Sequence, residues 1–68
     1  MTYNLARMRL RHGEDRIEIA VAWDKAEGYV VTESTSDALF SWKAYHRLSS
    51  ALTAAGRIAR KYEGFGYR

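Results

Sequence analysis

A chain of 68 residues with no cysteine and no proline has room for one domain and one small core, and it excludes disulfides and thiolate metal sites as reinforcement. The net charge of +3 is mild, no apolar run approaches the ~20 residues of a membrane span, and the N-terminus lacks the apolar stretch of a signal peptide, so a cytoplasmic location without membrane contact is the expectation. Net stability from such a core is only ~3 to 5 kcal/mol, which makes a partner the natural supplement, either a second copy in a homodimer or something larger.

From Tyr3 to Arg11 the residues alternate, with Ala6, Met8 and Leu10 on one face and Arg7, Arg9 and Arg11 on the other, the pattern of a half-buried strand. His12-Gly13-Glu14-Asp15 is a turn, after which Ile17, Ile19, Val21 and Trp23 alternate with Arg16, Glu18, Ala20 and Ala22. Pairing the two runs as a hairpin sets Met8 opposite Ile19, Leu10 opposite Ile17 and Arg9 opposite Glu18, so the apolar sets coincide. Asp24-Lys25-Ala26-Glu27-Gly28 is a second reversal, with Gly28 free to take positive φ, and Tyr29 to Thr32 carry strong β propensity. A third turn at Ser34-Thr35-Ser36-Asp37 precedes Ala38, Phe40, Trp42 and Ala44 in alternation. Pairing across it sets Val31 against Phe40 and Tyr29 against Trp42, an aromatic cluster inside the core.

Leu48, Leu52, Ala55, Ala59 and Tyr62, with Ile58 beside them, recur at helical spacing and predict a helix from Ser49 to Tyr62 that lies on the sheet. Ser49 or Ser50 would cap it, Gly64 would end it in the left-handed conformation, and Gly56 would let it approach the sheet closely. On this reading Leu52→Asp is disabling, since it places a charge under the helix. Leu39, Trp42, Tyr45, Leu48 and Leu52 also fit helical spacing and define a competing parse with three strands and a longer helix or a second one. The cross-strand pairs and the poor fit of Ser49-Ser50 to a helix interior favour four strands. The expected fold is α+β: a small antiparallel sheet of three or four strands followed by a C-terminal helix on one face, a single ββββα domain over residues 1–63 with a flexible tail at 64–68.

Little in the chain suggests catalysis, and neither an enzyme nor a cofactor is expected. His12, Glu14 and Asp15 share a turn but match no metal-ligand spacing. His46 near Ser49 and Ser50 lacks a nearby carboxylate to orient it, and no phosphate-binding glycine loop is present. Binding fits better. The ends are basic (Arg7, Arg9 and Arg11; then Lys43, Arg47, Arg57, Arg60, Lys61 and Arg68) and the centre acidic, which fits charges that guard an exposed strand and suit a helix C-terminus and, as the alternative, a polyanionic partner.

Two binding readings follow, of which the modest charge and the apolar sheet face favour the first, with the second as the alternative. In one, the sheet face away from the helix, apolar at Ala20, Ala22 and Val30 with Leu39 beside them, docks a protein or nucleoprotein partner or a second copy of the chain. Small cysteine-free chains without a catalytic set are typical of accessory regulators, including phage or mobile-element inhibitors of host complexes. In the other reading, the sheet face not covered by the helix, or the Arg7, Arg9 and Arg11 strand with Arg57, Arg60 and Lys61, contacts nucleic acid phosphates while Tyr45, Phe65 and Tyr67 stack on unpaired bases. A four-strand sheet followed by one helix resembles small dimeric transcription coactivators that bind single strands, and that resemblance implies a nucleic-acid-binding dimer without assigning any residue.

Overall fold

The computed structural model describes residues 2–68. Four strands, β1 (Thr2–His12), β2 (Asp15–Asp24), β3 (Gly28–Ser34) and β4 (Leu39–Tyr45), are followed by α1 (Leu48–Gly64). The strands lie in chain order in one antiparallel sheet, and α1 packs on one face, so the architecture is α+β. Residues 39–45 form a strand, which excludes the three-strand parse.

Each reversal has a local cause. Gly13 turns the first hairpin at φ +63. At the second, the Asp24 carboxylate accepts the N–H groups of Ala26 and Glu27 at 2.8 and 3.1 Å and the Thr2 hydroxyl at 3.0 Å. The Ala26 N–H, then the Thr2 hydroxyl and the Glu27 N–H, hold the Asp24 carboxyl below its ordinary value because they bind the ionised form. Gly28 closes that loop at φ +92, and a Cβ there would stand 2.8 Å from the Tyr45 carbonyl oxygen, so only glycine fits.

The first hairpin has the register its pattern predicts: Met8 faces Ile19, Leu10 faces Ile17 and Arg9 faces Glu18, with a shift between Asn4 and Ala6. The pairing of β3 with β4 departs from expectation. Val31 faces Lys43, Thr32 faces Trp42 and Tyr29 faces Tyr45, a slip by an odd number of positions that turns the strand over. Two local features set it. Thr35 Oγ1 accepts the N–H groups of Asp37 and Ala38 at 3.3 and 3.2 Å and so holds a wider loop, and the register shifts between Glu33 and Ser34, leaving Phe40 as the extra residue of a bulge. Ser41, Lys43 and Tyr45 therefore share the helix side with Glu33, Val31 and Tyr29, while Trp42 turns outward. Phe40 and Trp42 are 57% and 49% exposed and do not join the core.

The core is Ile19, Val21 and Val31 against Ala51, Ala55 and Ala59, with Leu10, Tyr29, Tyr45, Ala54, Ile58 and Tyr62 packed around it. Alanines bring the helix onto the sheet; Leu48 and Leu52 are 39% and 47% exposed. The stripe is thus rotated toward Ala51 from the expected Leu48–Leu52 line, and the case for Leu52→Asp as disabling falls. Gly56 has only Arg60 near its would-be Cβ, so it does not serve close approach to the sheet. Neither serine caps α1: the N-cap is Arg47, without a side-chain cap bond. At the other end the glycine cap lies two residues later than expected. Gly66, at φ +98, donates its N–H to the Glu63 carbonyl while Tyr67 donates to the Tyr62 carbonyl, both at 3.0 Å, the paired bonds of a Schellman turn.

That turn sends the chain back to the sheet. Arg68 exchanges main-chain hydrogen bonds with Arg11 at 2.8 and 2.9 Å, and the Tyr67 ring lies 5.6 Å from His12 and 5.2 Å from Tyr62. Of the residues expected to trail as a free tail, Gly64 ends the helix, Phe65, Gly66 and Tyr67 bond back to its last turn, and Arg68 is hydrogen-bonded to the edge strand. The one buried charged side chain among the described residues is Glu33, 6% exposed. Its carboxylate accepts from Ser41 Oγ at 3.2 Å, Lys61 Nζ at 3.4 Å and the Tyr62 hydroxyl, fastening the last turns of the helix to the sheet.

Candidate functional site

The face opposite the helix follows from the register. On β2 it carries Arg16, Glu18, Ala20 and Ala22; on β1, Arg7, Arg9 and Arg11 opposite Ala20, Glu18 and Arg16; on β3, Val30, Thr32 and Ser34; on β4, Trp42 and Ala44, with Leu39 opposite Ser34. Alternation puts these side chains together because every second residue shares a face. Small residues floor the middle, arginines occupy the β1–β2 side, and Trp42 rises from β4. Four strands at their usual spacing place the arginine row and the tryptophan about 14 Å apart.

One acid organises the basic side. Glu18 Oε1 accepts a hydrogen bond from Arg9 Nε at 3.1 Å and forms an ion pair with Arg7 Nε at 3.2 Å. Exposed pairs of this kind add little stability, yet they fix two guanidiniums in place with their terminal nitrogens still able to donate. At the end of the hairpin Arg11 stands directly opposite Arg16. There, Arg9, Arg11, Arg16 and Arg68 line a cleft of about 540 Å³ together with Leu10, Ile17, Glu18, Ser34, Thr35 and Ser36.

The expected protein-docking residues Ala20, Ala22, Val30 and Leu39 do share this face. Ala22 and Val30 are only 9% and 6% exposed, so they form a floor that offers a partner little area to bury. The expected phosphate-binding residues divide. Arg7, Arg9 and Arg11 lie on the open face, whereas Arg57, Arg60 and Lys61 belong to the helix on the opposite side of the sheet. Arg57 lines a groove with Lys43, Tyr45, Ser49, Ser50 and Thr53, Arg60 donates from Nε to the Gly56 carbonyl at 3.4 Å, and Lys61 is bound to Glu33. Tyr45 packs against the core, Tyr67 lies against His12 and Tyr62, and Phe65 is 67% exposed beside Tyr62.

Four residues on or beside this face escape a reading of the sequence as site residues: Arg16 and Trp42 on it, Phe40 at the β4 bulge and Arg68 at the cleft. Arg16 is accessible to such a reading, because the hairpin register already places it opposite Arg11. Trp42 requires the β4 register and Arg68 the glycine turn at Gly66. Neither is a local property of those residues. Among the described residues, no group of three or more His, Cys, Asp or Glu side chains is placed to hold a metal ion, and no helix is long and apolar enough to cross a membrane. Comparison of the chain with protein-family models, curated proteins and solved structures finds no match.

Proposed function

We propose that this chain is a non-enzymatic module that binds single-stranded nucleic acid on the open face of its sheet. The observation that supports this most is the exposed Trp42 on the same face as Arg7, Arg9, Arg11 and Arg16, across a floor of small side chains. Guanidiniums neutralise phosphates without reading sequence. An upright aromatic stacks on any base, and an open four-strand sheet bearing such rings is a known way to hold two or three unpaired nucleotides. Phe40, exposed at the adjoining bulge, is a second stacking surface. The helix holds the sheet from behind and leaves this face free.

A fluorescence titration against short single-stranded and duplex DNA and RNA, at low and near-physiological salt, tests the reading. Single strands should bind in roughly the micromolar range or tighter, quench tryptophan emission and weaken as salt rises. Trp42→Ala should lower affinity by about 1 to 3 kcal/mol, and Arg7→Gln or Arg9→Gln, each leaving one phosphate without its cation, should reduce the salt slope by about one. Absence of binding at low salt, or unchanged affinity in Trp42→Ala, would sink it. The second reading, docking of a protein or nucleoprotein partner or of a second copy, has on its side that Ala20, Ala22, Val30 and Leu39 share this face, and against it the small area that Ala22 and Val30 leave exposed. Loss of partner capture or of dimer mass in Ala20→Glu, without loss of nucleic acid affinity, would select it.

A further inference from the structure

We infer that the cleft lined by Arg9, Arg11, Arg16, Arg68 and the Ser34-Thr35-Ser36 loop is a seat for a phosphate group. The inference rests on the nucleic acid reading only for where the phosphate comes from; the seat itself follows from its own chemistry.

Four guanidiniums and one side-chain carboxylate line this cleft, and the carboxylate is already engaged. Glu18 holds Arg9 and Arg7 through a single oxygen. Arg11 and Arg16 face each other across the hairpin, and neither makes an ion pair among the described residues. Like charges directly opposite on paired strands are unfavourable. An oxyanion between them converts that repulsion into two sets of charge-assisted hydrogen bonds. Arg68 joins from outside the hairpin because its main chain is pinned to Arg11 at 2.8 and 2.9 Å, so helix, turn and edge strand converge on one spot.

The opposite wall supplies neutral donors. Thr35 Oγ1 accepts two main-chain N–H groups, which leaves its own O–H to donate, and Ser34 and Ser36 flank it. Guanidinium forks match the geometry of phosphate oxygens and hydroxyls complete the shell. A cleft of about 540 Å³ is within the size range of small-ligand sites, and it opens from the end of the face that carries Arg7, Arg9 and Trp42. A phosphate at the end of a bound strand would therefore lie in line with that face. A free pyrophosphate has the same chemistry and is the simplest probe.

The experiment is a calorimetric titration of the full chain with pyrophosphate, and with one short single strand prepared with and without a 5′-phosphate. Pyrophosphate should bind the native chain, and the double variant Arg11→Gln, Arg16→Gln should lose about tenfold or more in affinity. Circular dichroism should show that variant folded, since the change removes a repulsion. The 5′-phosphorylated strand should bind about tenfold more tightly than its hydroxyl counterpart, and the difference should vanish in the double variant. If pyrophosphate binds and neither strand does, the seat stands for a free oxyanion and the sheet-face reading fails. If both strands bind equally and pyrophosphate does not bind, or binds the double variant as well as the native chain, the seat is overturned while the sheet-face reading survives.

Discussion

Glu33 shows how much a single side chain can do without a local signal. In the sequence it is one acid among several in the acidic middle of the chain; in the structure it is buried and held by Ser41, Lys61 and Tyr62. Two of its partners lie on the helix, so no window of neighbouring residues contains the arrangement. Its effect is measurable through Tyr62. Burial first, then the hydrogen bond and negative charge of Glu33, push the Tyr62 hydroxyl up from 10.0 to about 12. Below the ordinary value the phenol keeps its proton in both folded and unfolded chains, and the contribution to stability is fully present. Between that value and about 12 the unfolded chain releases the proton and the folded one retains it, so stability declines across this interval and is lost as pH rises through the folded value. Ultraviolet titration should show a late tyrosine step, and Tyr62→Phe should abolish it. A late step that persists in Tyr62→Phe would assign it elsewhere.

At the level of elements, the helix and the last strand show where pattern reading succeeds and where it stops. The existence of α1 is legible from Ala55, Ala59 and Tyr62 at helical spacing, and the hairpin register from the alternation of Met8 and Leu10 against Ile17 and Ile19. The rotation of the helix is not, because hydrophobicity ranks Leu48 and Leu52 above Ala51, whereas close approach to a sheet rewards the short side chain. Ala51 is 0% exposed and Leu52 47%, so the two positions should respond oppositely to charge. Ala51→Asp should cost several kcal/mol, enough to unfold a domain of this size, while Leu52→Asp should shift stability by less than about 1 kcal/mol. Chemical denaturation of both variants checks the pair; a Leu52→Asp chain that fails to fold would restore the Leu48–Leu52 line as the buried face. On β4 the alternation of Phe40 and Trp42 identifies a strand and leads to the wrong side of it. An odd slip in register leaves the periodicity intact while exchanging inside for outside, so periodicity alone cannot detect it.

For the molecule as a whole, the basic residues of the two chain ends are expected from the sequence to form one surface, and the sheet separates them. Arg7, Arg9 and Arg11 gather on the open face with Arg16, and Arg68 reaches the end of the same row, whereas Arg57, Arg60 and Lys61 remain behind the sheet. Charge read along a sequence cannot make this division, which depends on which side of the sheet the helix takes. The layout also has a kinetic consequence. Because the strands pair in chain order, every hairpin closes over a short loop, and chain-closure entropy is small at each step. The pair of hydrogen bonds between Arg11 and Arg68 is different, joining positions far apart in the sequence. It has most to lose from early closure and belongs on the native side of the folding barrier. Removing Arg68 should therefore leave the refolding rate nearly unchanged and accelerate unfolding, a split that stopped-flow measurements across a denaturant series would read directly. A slower refolding limb would instead place this long-range contact at the barrier itself, with Arg68 acting as part of the nucleus and no longer as a latch.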